Sequence, residues 1–149
     1  MIVGHPGEGK RDFAELLDFV REARFERLGA FMYSEEEGTY GAANYRNRIP
    51  KREKKERLSA LMDLQREISL EFNRSRISTV ERVLVDDYAD GILVCRSRYE
   101  SPEVDGEIIV RYDEELFGDI PPSSLLGKFI DVKVTGADEY DLIAEPIKR

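Results

Sequence analysis

The spacing of apolar residues along the chain changes once, near residue 75. Before that point the pattern alternates between short apolar runs and helical periodicity. Met1-Ile2-Val3-Gly4 predicts a short buried strand, and His5-Pro6-Gly7-Glu8-Gly9 predicts a Gly/Pro turn. Phe13, Leu16, Leu17 and Val20 fall at i, i+3, i+4 and i+7, which predicts an amphipathic helix from Lys10 to about Arg24. Leu28-Gly29-Ala30-Phe31-Met32-Tyr33 suits a strand buried on both faces. The order strand, turn, helix, strand is that of a βαβ unit in a parallel sheet. Residues 34–50 form a polar loop of 17 residues, a length usually functional or mobile. Lys51 to about Asn73 predicts a second helix with Leu58, Leu61, Met62, Leu64 and Ile68 inward. Its opening, Lys51-Arg52-Glu53-Lys54-Lys55-Glu56-Arg57, reads as a solvated, salt-bridged helix start.

After Ser75 the apolar residues alternate with polar ones. Residues 79–86, 91–98, 107–112, 128–135 and 141–145 predict five short strands, with turns at 87–91, 101–106, 117–124 and 136–139. Five antiparallel strands in so short a stretch suggest a small closed barrel, an architecture that hides its edges. The expected class is α+β, with domains at 1–77 and 78–149. A two-stranded parallel sheet lacks the cover such sheets need. Residues 1–77 are therefore expected to be the closing segment of a larger α/β domain whose beginning is missing, marginally ordered alone or self-associating through the open sheet edge.

Charge sharpens this division. Residues 1–77 hold 15 Lys+Arg and 14 Asp+Glu, whereas residues 78–149 hold 8 and 17, a net of −9. Clustered cations are what phosphate binding needs, so RNA is the less favoured partner of the second half. That half reads either as a solvated acidic surface or as a docking face for a basic protein. With 41% hydrophobic and 36% charged residues, the chain is neither disordered nor membrane-like by composition. No secretory leader is visible, and the expected location is the cytoplasm. One Cys excludes an internal disulfide and a multi-thiolate metal site.

Single residues add little chemistry by themselves. His5, the only His, sits beside Pro6 and reads as a turn residue. Gly7-Glu8-Gly9-Lys10 lacks the spacing of a phosphate loop. Glu35-Glu36-Glu37 could pair with basic substrate side chains or form a solvated run. Asp138-Glu139-Tyr140-Asp141 is the acidic turn best suited to docking, with Tyr140 as an anchor, although a turn kept soluble by carboxylates explains it nearly as well. Cys95, within Gly91-Ile92-Leu93-Val94-Cys95, reads as a small core residue.

Longer segments carry a resemblance. IVGHPGEGKRDFAELLDFV, RFERLGAFMYSEEEGTYGAA and ERLSALMDLQREIS resemble the end of the radical-SAM domain of methylthiotransferases, a (β/α) barrel. RSRYESPEVDGEIIV and GKFIDVKVTGADEYDLIAE resemble the TRAM domain that follows it, a small OB-like barrel. Glu36 in the loop after Tyr33-Ser34 is similar to the RimO-type branch, which methylthiolates an Asp of a small-subunit ribosomal protein (the S-twelve protein). The transfer RNA-modifying branch typically carries a basic residue there. The resemblance implies [4Fe–4S] clusters and S-adenosylmethionine in the full-length enzyme, the SAM-cleaving cluster held by a CxxxCxxC motif that this chain lacks. The chain alone is thus expected to be inactive, with no catalytic residue and no metal site of its own. The resemblance further places Gly4, Pro6, Gly7 and Glu8 on the SAM side, and Tyr33, Ser34 and Glu36 near the barrel mouth. With Asp138, Glu139, Tyr140 and Asp141 these make up the candidate substrate-binding set. The family's GETEEDF reads Gly7-Glu8-Gly9-Lys10-Arg11-Asp12-Phe13 here, so the Thr expected to cap the helix is gone. The alternative reading is a non-catalytic TRAM module that binds RNA.

Overall fold

A computed structural model describes residues 1–102 and 105–148, so the expected turn at 101–106 lies partly outside the described residues. The chain divides into two compact units, Met1–Ser69 and Leu70–Arg149.

In the first unit, β1 (Ile2–Val3) pairs in parallel with β2 (Phe31–Met32), Ile2 opposite Phe31 and Val3 opposite Met32. Helix α1 (Lys10–Ala23) connects them and ends with Arg24 in the left-handed conformation. The missing Thr cap is replaced from the other side, because the Gly9 N–H donates to the Asp12 carboxylate at 2.7 Å. The strands are shorter than the apolar run suggests, and they are not buried on both faces. Val3 is fully buried, whereas Ile2 is 60% and Phe31 71% exposed. The physical reason is one-sided cover: Val3, Val20, Leu61 and Ile68 form the core, and the opposite face has no partner among the described residues of this unit. The polar loop is not structureless, since α2 (Tyr40–Asn44) forms inside it, capped by Thr39. Helix α3 (Lys51–Ser75) follows.

The second unit is a closed barrel of β3 (Val80–Ala89), β4 (Ile92–Arg96), β5 (Ile108–Arg111), β6 (Phe129–Ala137) and β7 (Leu142–Pro146), in the ring order β3-β4-β5-β7-β6. All pairs are antiparallel except β5 with β7, which run parallel. This corrects the expectation of a wholly antiparallel barrel. Directions alternate around a ring only when the strand number is even, so five strands force one parallel seam. Alternation fills the interior with Val83, Val85, Leu93, Cys95, Ile108, Val110, Val132, Val134, Leu142 and Ala144. Asp90-Gly91 joins β3 to β4 with φ positive at both residues, the two-residue hairpin turn whose twist matches the strands. Between β5 and β6 the chain folds into α4 (Glu114–Phe117), capped by Asp113, and a single 3₁₀ turn that buries Leu125 over the core.

Candidate functional site

Loops leave the same end of β1 and β2 in the first unit and bring together part of the candidate set. Gly4 has φ +76°, and a Cβ there would lie 2.5 Å from Cγ of Lys54, so glycine alone lets the helix side chain approach. The loop is closed by Glu8. Its carboxylate accepts from the Gly4 N–H at 2.9 Å and from Arg57 Nη1 at 2.5 Å, while Arg57 Nη2 donates to Glu53. Burial works against the Arg57 charge, but Glu8 and Glu53 outweigh it and hold the guanidinium above its ordinary range. Lys54 is equally buried, and its ammonium donates to the Tyr33 carbonyl at 3.0 Å and to Asn47 at 2.8 Å. The charged opening of α3 is therefore not uniformly solvated: Arg52 and Glu56 are exposed, whereas Lys54 and Arg57 tie down the two loops. His5 packs edge-on against Tyr33 at 5.1 Å and Tyr45 at 5.6 Å, an aromatic cluster beyond the turn role expected of it. Ser34 and Glu36 are exposed; the Glu36 carbonyl accepts from the Thr39 hydroxyl.

In the second unit the acidic turn is a braced structure. The Asp138 N–H donates to the Asp141 carbonyl at 2.8 Å, the Glu139 N–H to the Asp138 carboxylate at 2.6 Å, and the Glu107 N–H to the Asp141 carboxylate at 2.9 Å. Asn73, fully buried, donates to the Asp138 carbonyl at 2.9 Å. Gly106 lies beneath, where a Cβ would be 1.8 Å from the Tyr140 carbonyl. Asp138 and Asp141 thus shape the turn, and Tyr140, 58% exposed, projects from it.

The second unit also contains a charged centre that the sequence reading did not single out. Arg76, 4% exposed, donates to both Glu81 oxygens at 2.7 and 2.9 Å, to Glu100 at 2.5 Å and to Ser97 at 3.0 Å. Burial opposes the charges, yet the mutual hydrogen bonds prevail: Arg76 is raised above its usual range, and Arg76 with Ser97 holds Glu100 below the usual carboxylate range. The Arg76 guanidinium lies over the rings of Phe72 and Tyr99, at 5.5 and 5.0 Å. Above it opens a groove of about 850 Å³ along the outer face of β3.

Cys95 tests whether this chain could hold the iron–sulfur clusters that the resemblance implies. Such a cluster takes several thiolates. Cys95 is the chain's one Cys, is 1% exposed inside the barrel, and has its thiol pushed up to about 12 by burial and by Asp86. No group of three or more His, Cys, Asp or Glu among the described residues could hold a metal ion. These residues do not fit a cluster. No helix among the described residues is long and apolar enough to cross a membrane.

Comparison with known proteins gives consistent matches. Residues 77–147 match the TRAM domain family. Over 147 residues (99% of the chain, 32% of the relative) the chain is 44% identical to ribosomal protein uS12 methylthiotransferase RimO of Bacteroides fragilis. The protein of the same name in Porphyromonas gingivalis is 46% identical over 144 residues (97% and 32%). That of Cytophaga hutchinsonii is 41% identical over 148 residues (99% and 32%). The chain spans about a third of the length of these relatives.

Proposed function

We propose that this chain, which carries a TRAM domain and fits the C-terminal part of a RimO-type methylthiotransferase, acts as the substrate-docking part of an enzyme that methylthiolates an Asp of ribosomal protein uS12. The carrying observation is identity of 41–46% to proteins of that name across nearly the whole chain. The [4Fe–4S] clusters and S-adenosylmethionine of the family supply the radical chemistry when bound, and no step of it is assigned to residues of this chain. Gly4, Pro6, Gly7 and Glu8 border the cofactor side in this reading. They do so through backbone, because the Glu8 carboxylate is engaged by Gly4 and Arg57. Tyr33, Ser34 and Glu36 belong to the substrate side of the first unit.

Docking rests on charge. Residues 78–149 carry a net of −9, and ribosomal proteins are basic, so long-range attraction speeds encounter and the braced turn at Asp138–Asp141 supplies a fixed contact. The Asn73 and Glu107 bonds hold Glu139 and Tyr140 ready, which lowers the entropy lost on binding. Calorimetric titration of the chain with purified uS12 tests the reading. Binding at low salt that fades as salt shortens the screening length below about 8 Å supports it. Glu139→Gln combined with Tyr140→Ala should weaken binding about tenfold. No binding at low salt overturns the docking role, and tight binding of transfer or ribosomal RNA in a parallel titration favours the RNA-module alternative.

A further inference from the structure

We propose that the groove on the outer face of β3 docks an acidic peptide segment of a partner protein, separately from the basic partner assigned above. Strand alternation turns Val80, Arg82 and Leu84 outward, since Glu81, Val83 and Val85 face the interior side. Leu84 pairs with Arg96 on β4 and with Phe129 on β6, so side chains from three strands share this face. Arg98, in the turn that follows β4, also lines the groove and is exposed.

Four arginines meet at this groove, and they differ in state. Arg76 is neutralised by Glu81 and Glu100, and Arg96 by Asp86 at 2.9 Å. Arg82 and Arg98 have no ion pair among the described residues. Each lies instead over a ring, Arg82 at 5.1 Å from the Phe129 centroid and Arg98 at 4.7 Å from that of Tyr99, whose hydroxyl it also meets. A guanidinium held against a ring keeps N–H donors in its plane, the geometry that matches a carboxylate bidentately. Val80 and Phe129, 57% and 59% exposed, add apolar surface to the groove's lining.

Charge complementarity chooses the occupant. A basic peptide would meet two unpaired cations. A nucleic acid strand gains affinity by releasing a counterion at each of many phosphates, and the two arginines held on rings here, Arg82 and Arg98, are too few for such a track. A short extended segment alternating carboxylate and apolar side chains needs only two charge contacts and a floor, and its period of two residues matches the exposed face.

The test is fluorescence anisotropy on the full chain with a labelled decapeptide of alternating Glu and Leu. Its controls are the same peptide with Gln for Glu and a labelled oligouridylate of equal length. Expected are saturable binding of the Glu peptide and affinity about tenfold weaker for the Gln peptide. The exposed double variant Arg82→Gln/Arg98→Gln should bind the Glu peptide about tenfold more weakly at an unchanged melting temperature, while Arg82→Lys/Arg98→Lys, which keeps charge without the planar fork, falls between. Amide shifts confined to Val80, Leu84, Phe129 and their neighbours would place the peptide in the groove. The proposal is overturned by no peptide binding up to about 1 mM, by equal binding to the Gln peptide or the double Gln variant, or by oligouridylate binding more tightly than the peptide. The uS12 titration reads a different surface, so either result stands without the other.

Discussion

Arg76 and Glu100 form a salt bridge of 2.5 Å with side chains only 5% and 2% exposed. A buried pair of this kind is costly to assemble and more costly to break, because removing one partner strands the other charge. Glu100→Gln or Arg76→Ala should therefore destabilise the barrel unit by about 3–5 kcal/mol. Chemical denaturation followed by circular dichroism would show it, and a loss below about 1 kcal/mol would contradict the geometry.

The same pair sets an acid limit. Glu100 is held below its ordinary range in the folded state by Arg76 and Ser97, against the opposing effect of burial. The unfolded chain therefore binds the proton more readily, and stability rises with pH wherever the group titrates. The contribution is fully present above the ordinary Glu value of about 4.3 and is lost as pH falls below it. Melting temperatures measured from neutral pH down to about pH 3 should drop for the natural chain, and Glu100→Gln should flatten that drop.

Arg57 holds the Gly4–Glu8 loop through Glu8, with side chains 7% and 13% exposed. Arg57→Met keeps the buried stem but leaves Glu8 without its cation. It should cost about 3 kcal/mol and accelerate hydrogen exchange at the Gly4 amide. Unchanged exchange there would show that Glu8 closes the loop unaided.

Cys95 should resist thiol reagents. With its thiol pushed up to about 12, only about one molecule in ten thousand carries the thiolate at pH 8, even before access through the barrel wall is considered. Labelling by a disulfide reagent should proceed only after denaturation; rapid native labelling would show that the barrel opens.

Asn73 braces the acidic turn from the second unit's own stretch of α3. Asn73→Ala leaves the Asp138 carbonyl without that donor and should cost about 1–3 kcal/mol. If the turn is the docking contact, uS12 affinity should also fall while global circular dichroism stays the same.

Much of this architecture is written in local pattern. The period change near Ser75 separates helix from barrel, alternation in Val132-Lys133-Val134 assigns core and surface, and the Asp90-Gly91 pair specifies a hairpin turn. These features are legible because each depends on residues within a few positions. One signal was present but masked by charge. The inward stripe of Leu61 and Ile68, continued backwards at helical spacing, lands on Arg57 and Lys54, which are buried like their apolar neighbours.

What the sequence determined alone is the two longer helices, the five barrel strands and the acidity of the second half, because propensity, periodicity and charge are properties of neighbours in the chain. Only the tertiary structure decided which charges survive as chemistry. Closing five strands into a ring forces the parallel β5–β7 seam and carries Glu81 and Glu100 to Arg76 across 5 and 24 positions. The same closure brings Phe129 of β6 to Arg82 of β3, whereas Arg98 rests on its own neighbour Tyr99. Pairing is settled by distance in space, which no count of residues along the chain supplies.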